Sequence, residues 1–249
     1  MKILLTNDDG IHAPGILALE RELHKRGHDL LTVAPLTQQS ATSHSISLFK
    51  PMKFSEHGNR RYALNGTPSD CMILGSQVIF DQSIDLVISG INSGPNMGED
   101  VLYSGTVAAA LEAMFLGFKS IAISISDYEN QNFATAARVM ADLLEENIVE
   151  LIAAGEALNI NVPNISYEQV KGVRATVTGH RKYYNFVKKS QNEAGETEYM
   201  VGGDRPVWQE KDHSDAEAIY DNFVSITPIA PNFTNHKSFA KVKNWIKQK

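Results

Sequence analysis

Three observations predict an α/β fold for this chain of 249 residues. Short apolar runs at residues 3–6, 30–33, 85–89 and 120–124 have the length of buried strands. Between them, apolar residues recur at helical spacing, as Ile16, Leu19 and Leu23 do ahead of Gly27. The two periods alternate through the first half, the pattern of βαβ units and of a mostly parallel sheet covered on both faces. The expected architecture is a Rossmann-like three-layer αβα sandwich.

Each element has a local reason. Gly27 is a natural stop for the first helix, and a strand follows at residues 30–33. Residues 45–49 and 61–64, split by His57-Gly58-Asn59, predict a β-hairpin excursion within 41–64. Thr67 as N-cap, Pro68 at the first helical position and Asp70 at the third open a helix that runs to about Val78. After the strand at 85–89 come a helix at about 106–116 closed by Gly117, a strand at 120–124 and a helix at about 133–147. Beyond residue 155 the texture changes. β-rich runs at 158–162, 172–177 and 223–227 are split by polar segments, the longest at 188–198, which predicts an α+β extension. Phe239, Val242, Trp245 and Ile246 at helical spacing predict a tail helix that docks or meets a partner. The expected organisation is a Rossmann-like core at 1–150, with the hairpin excursion inside it, and an α+β extension with the tail helix at 151–249.

Hydrophobic residues at 43% and charged residues at 21% suffice for a substantial core. A formal net charge of −6 leaves no basic excess for a long phosphate backbone, so long nucleic acid is not an expected partner. The single Cys71 cannot form an internal disulfide and fits a reducing compartment, so a cytoplasmic location is expected. The N-terminal residues MKILLTNDDG lack the ~7–15 apolar residues of a signal peptide, and no run reaches the ~18–20 of a membrane helix.

In open parallel sheets ligands bind beyond the carboxyl ends of the strands, so polar residues just after strands carry the information. The first strand runs into Asn7-Asp8-Asp9-Gly10. Two adjacent carboxylates at ~4 Å repel by ~4 kcal/mol at an effective dielectric near 20, a cost that a divalent cation removes. The same four residues are also ordinary turn formers, and from this segment alone both readings stand. The strand ending at Ser89 runs into Gly90-Ile91-Asn92-Ser93-Gly94-Pro95-Asn96-Met97-Gly98, rich in residues that let backbone approach a small ligand and supply amide groups. Tyr103-Ser104-Gly105-Thr106 opens a helix with hydroxyls and free N–H groups beside its positive end, an anion site or a simple N-cap. Cys71 reads as a small buried helix residue without a catalytic role. His24 and His28 have i, i+4 spacing, but Gly27 between them makes a surface pair the better reading. The phosphate loop GxxxxGK[ST] and the GxGxxG, GxSxG, HExxH and CxxC patterns are all absent.

Several segments together resemble the SurE survival-protein phosphatases, a family of metal-dependent nucleotidases: ILLTNDDGIHAPGI (3–16), VAPLTQQSATSHSIS (33–47), LNGTPSDCM (64–72), DLVISGINSGPNMGEDVLYSGTVAAALEA (85–113) and IAISIS (121–126). They stand in the family's order and cover most of the first half. The resemblance implies metal ligands at Asp8, Asp9, Ser40 and Asn92, and phosphate contacts at Asn96, Ser104, Gly105 and Thr106. An all-oxygen set suits one divalent cation per subunit, Mg²⁺ or Mn²⁺, better than Zn²⁺. Ala41 departs from the glycine usual after the metal-binding serine. The resemblance also implies a homodimer or homotetramer whose C-terminal segment reaches a neighbour.

The expected activity is hydrolysis of nucleoside 5′-monophosphates, with 3′-monophosphates and short polyphosphate also allowed by the resemblance. Asp8 or Asp9 is the expected general base, since His12 alone among histidines stands near these strand ends. An aspartyl-phosphate route through Asp8 is disfavoured because Gly10 stands where such enzymes carry a second acid. The alternative from another class is a nucleotide sensor without catalysis.

Overall fold

Strand β1 (Lys2–Thr6) shows why the chain folds in layers. Successive strand side chains point to opposite faces, so Ile3 and Leu5 join one hydrophobic cluster while Leu4 joins the other. The computed structural model describes residues 1–79, 84–182, 187–202, 207–209 and 212–247. After β1 come α1 (Pro14–Lys25), β2 (Asp29–Pro35), β3 (Phe54–Glu56), β4 (Arg61–Leu64) and α2 (Pro68–Leu74), the last continued by a wider π turn at Gly75–Ile79. Next are β5 (Leu86–Ser93), α3 (Gly105–Phe115), β6 (Ser120–Ile125) and α4 (Phe133–Glu145). The remainder holds β7 (Ala157–Val162), β8 (Val173–Ala175), β9 (His180–Lys182), β10 (Val187–Gln191), β11 (Thr197–Val201), β12 (Val207–Gln209), α5 (Asp215–Tyr220), β13 (Val224–Ile229) and α6 (His236–Lys247).

Nine strands form one sheet in the order β3-β4-β2-β1-β5-β6-β7-β13-β8. From β4 through β7 every pairing is parallel; β3 and β13 run antiparallel to β4 and β7. Helices α1 and α4 pack together on one face, and α2 and α3 on the other. The predicted three-layer α/β sandwich is therefore the observed one. Its winding reverses between β1 and β5, which opens a crevice at their carboxyl ends. The larger core lies under α1 and α4, where Leu19, Leu23, Ile88, Ile121, Ile123 and Met140 are fully buried, each such side chain contributing ~1.5–3 kcal/mol.

Two predicted elements differ. The hairpin arm expected at residues 45–49 lies instead at β3, and residues 45–49 form no strand. The α2 cap explains why: Asp70 Oδ1 accepts the Ser47 N–H at 2.8 Å and the Thr67 hydroxyl donates to the Ser45 carbonyl at 2.8 Å, so the cap takes the backbone groups a ladder would need. The strand expected to stop at Ser89 continues to Ser93. After a register shift its pairing with β6 resumes at Asn92 and Ser93, and residues 90–93 belong to the sheet rather than to a loop. A Cβ on Gly90 would lie 2.3 Å from the Ile123 carbonyl, so glycine is what permits β5 to stay against β6.

The region beyond residue 150 contributes β7, β13 and β8 to this same sheet, while the hairpin β10–β11 and strands β9 and β12 stand apart as small two-stranded pieces. No residue of α6 is buried.

α1 approaches the end of β5 closely enough that an added Cβ at Gly15 would lie 2.0 Å from the Ile91 carbonyl and 3.1 Å from the Phe133 ring. Gly15→Ala should cost about 3 kcal/mol by overpacking and lower the thermal midpoint by roughly 6–12 °C in calorimetry. An unchanged midpoint would refute this close contact.

Candidate active site

The turn after β1 is made by Asn7 and Gly10, not by the two acids between them. The Asn7 side chain accepts the Gly10 N–H at 3.1 Å and donates to the Gly10 carbonyl at 2.9 Å, closing the turn on itself. The Asp8 carbonyl accepts the Gln39 N–H at 2.7 Å, which ties the loop after β2 to the turn. Turn chemistry and site chemistry are thus divided among four neighbouring residues, and both carboxylates are left to other partners.

Asp8 is 5% exposed and accepts the Thr106 hydroxyl at 2.5 Å. It lies against the first turn of α3, where a Cβ on Gly105 would come within 2.8 Å of the Asp8 Cβ. Only glycine lets the acid and the helix start approach this closely. Burial, with the Asp9 charge adding to it and the Thr106 hydrogen bond opposing it, raises the Asp8 carboxyl to about 6. Asp9 is less enclosed and is also raised, chiefly by burial; its Oδ2 accepts the Ser93 N–H at 3.0 Å from β5. The Gln38 amide donates to Ser40 Oγ at 2.8 Å and reaches Asp9 Oδ1 at 3.5 Å. Asn92 donates its amide N–H to the Gly94 carbonyl at 2.7 Å, which commits the nitrogen and leaves the amide oxygen as the group it can offer a ligand.

Asp8, Ser40, Asn92, Asn96 and Ser104 line one cavity of about 760 Å³ at the reversal of the sheet. Asp9, Gly105 and Thr106 are not among its lining residues. Ser104 caps α3 by accepting the Val107 N–H at 3.0 Å. Asn96 is nearly buried and clamps the loop to the sheet: its amide donates to Ser124 Oγ at 2.8 Å, and its backbone bonds the Asn159 and Asn161 side chains on β7. His12 lies at 3.0 Å from His57, and among the described residues no histidine lines the cavity. Cys71 is buried and its thiol is pushed up by that burial, which agrees with an inert role.

Three further residues of the cavity wall escape sequence reasoning: Asp100, Tyr128 and Arg181. Tyr128 packs on Gly94, whose added Cβ would meet the ring at 2.2 Å. Arg181 comes from β9 and forms an ion pair with Asp100. No local motif surrounds it, so only the folded chain brings it near Asp8.

The family model for survival protein SurE matches residues 3–185. The chain belongs to the SurE family. Similar proteins include 5′-nucleotidase SurE of Carboxydothermus hydrogenoformans, 40% identical over 99% of this chain and 97% of that protein. 5′-nucleotidase SurE of Mannheimia succiniciproducens is 42% identical over 99% of both. Among solved structures, the SurE protein of Aquifex aeolicus superposes with a TM-score of 0.88 at 38% identity, over 99% of this chain and 100% of that one.

Two predictions arise from this geometry. Because the folded value of Asp8 lies above its ordinary 3.8, the folded state holds this proton more tightly than the unfolded chain does. Its stabilisation is complete below the ordinary value and is lost as pH rises through about 6, on the order of 2–3 kcal/mol. In EDTA the thermal midpoint should therefore fall between pH 4 and 7 relative to that of Asp8→Asn; parallel curves would overturn the burial of this charge. Ala41, the departure from the family's glycine, sits at φ +56, where a Cβ costs ~1–2 kcal/mol. Ala41→Gly should raise stability by up to ~1 kcal/mol, the rest being offset by unfolded-state freedom. A clear loss of stability in denaturant titration would refute this conformation.

Proposed function

We propose that this SurE-family chain is a metal-dependent phosphomonoesterase that hydrolyses nucleoside 5′-monophosphates to nucleoside and phosphate, with 3′-monophosphates and short polyphosphate as further substrates. The observation that carries the reading is the contact of Asp8 with Gly105 and Thr106, which sets a carboxylate pair against the start of α3. A carboxylate there would repel a phosphate unless a cation lay between them. The activity printed for the relatives, 5′-nucleotidase, supports the same reading.

Asp8, Asp9, Ser40 and Asn92 would hold the cation. The fit rests on the donors: two carboxylates, a hydroxyl and an amide oxygen, all oxygen. Among the described residues no cluster of three or more His, Cys, Asp or Glu competes as a metal site. Such a set suits Mg²⁺ or Mn²⁺. Bound there, the cation supplies neutralisation of the phosphate charge and a lowered pKa for a coordinated water.

The protein's own groups do the rest. Ser104, Gly105 and Thr106 present the positive end of α3 to the phosphoryl group, and Asn96 holds the loop that faces it. Thr106 orients Asp8 through its hydroxyl. Asp8 or Asp9 takes a proton at a carboxylate oxygen from the water that attacks phosphorus, and the nucleoside oxygen leaves opposite and takes up a proton from solvent.

The same proposal includes a homodimer or homotetramer in the cytoplasm. In its support, Phe239, Val242, Trp245 and Ile246 of α6 are exposed, and an apolar groove of about 740 Å³ runs past Val177, Ile229 and Phe233. No helix of the described residues is long and apolar enough to cross a membrane.

Phosphate release from AMP, GMP and an aryl phosphate, measured near neutral pH with EDTA, Mg²⁺ or Mn²⁺, tests the reading. Release should require the metal, and Asp8→Asn or Asp9→Asn should lower it at least ~10³-fold, about 4 kcal/mol of barrier, with the fold kept. Binding of nucleotide without release from any ester would favour the sensor instead.

A further inference from the structure

Among the described residues that line the cavity, Arg181 alone carries a permanent positive charge, against Asp8, Glu99 and Asp100. Its side chain is 6% exposed. It reaches the cavity from β9, far along the chain from the acidic turn, and it is held there from several sides. Its guanidinium pairs with Asp100, and its backbone N–H donates to Glu99 Oε2 at 3.0 Å. Trp208 stands opposite it in the β9–β12 ladder, with the guanidinium carbon 5.5 Å from the indole centroid.

The strand itself is strapped to the site. Asp215, fully buried, accepts the Gly179 N–H just before β9 and the Gly98 N–H at the start of the turn Gly98–Leu102, each at 2.9 Å. The same turn feeds α3, because the Asp100 carbonyl accepts the Ser104 N–H at 3.1 Å. Arg181 is thereby locked to the segment that caps α3.

An ion pair that served only to pin β9 would need no place on the wall of the cavity that Asp8 and Ser104 also line. A phosphate monoester is a dianion entering a cavity rich in carboxylates, and a planar guanidinium offers it two parallel N–H donors. We propose that Arg181 is a substrate-binding residue that donates to the phosphoryl oxygens of the monoester, with Asp100 as the positioning residue that orients its guanidinium. This rests on the phosphomonoesterase reading of the same cavity and adds the residue that recognises the phosphate.

The test is kinetics on the full chain with divalent metal, comparing wild type with Arg181→Gln, Asp100→Asn and the double variant Arg181→Met, Asp100→Asn. The double variant removes the Asp100 charge together with the guanidinium that pairs with it, so it keeps the question open to measurement if Arg181→Gln folds poorly. Each variant is assayed with AMP, GMP and p-nitrophenyl phosphate, and for inhibition by inorganic phosphate. Loss of Arg181 should raise KM for all three esters and Ki for inorganic phosphate alike, by tenfold or more. Asp100→Asn should raise both by a smaller factor. A folded Arg181 variant with unchanged Ki for phosphate overturns the proposal, as does a defect confined to AMP and GMP, which would assign Arg181 to the nucleoside. If wild type releases phosphate from no ester, the functional reading fails on its own. Calorimetric titration of inorganic phosphate into wild type and the double variant then decides the Arg181 contact, with equal affinities overturning it.

Discussion

Asp8 is buried against the first turn of α3, and the rest of the cavity depends on that contact. It joins the carboxyl end of β1 to the amino end of a helix through one short hydrogen bond from Thr106 and one missing side chain at Gly105. The cost is an acid held away from water beside a second acid, which raises its pKa to about 6. A fold selected for stability alone has no use for such an arrangement, which marks it as a candidate functional site.

The surrounding polar groups follow from this constraint. Asn7 and Gly10 close the turn so that the two acids need not. Gln38 links Ser40 to Asp9, and Ser93 ties Asp9 to β5, so groups from three strand ends are cross-linked before any ligand arrives. Asn96, Asn159 and Asn161 then hold the facing loop to the sheet, which keeps the cavity wall from collapsing onto the acids. The C-terminal region closes the site through a different set of bonds, with Asp215 and Glu99 binding β9 to the turn that precedes α3.

Where the sequence is locally self-consistent, the structure follows it. Gly27 and Gly117 end helices, Thr67 and Asp70 form the capping box, and the alternation of Ile3, Leu4 and Leu5 separates the two cores. Where a distant group competes, local reading fails. Residues 45–49 look like a strand because their own pattern allows it, yet the α2 cap claims their backbone. β5 extends past Ser89 because Gly90 fits against Ile123, a neighbour that the local pattern does not name.

The sequence by itself determined the α/β class, the strand end that carries Asp8 and Asp9, and the helix start at Ser104 to Thr106. These are encoded in short stretches, where periodicity and turn chemistry act between near neighbours. Only the tertiary structure decided that Asp8 is buried by Gly105, that Asn96 is spent largely on clamping the sheet, and that Arg181 joins Asp100 on the cavity wall. Burial and pairing are properties of groups that meet across the fold, and a chain read residue by residue does not say which groups will meet.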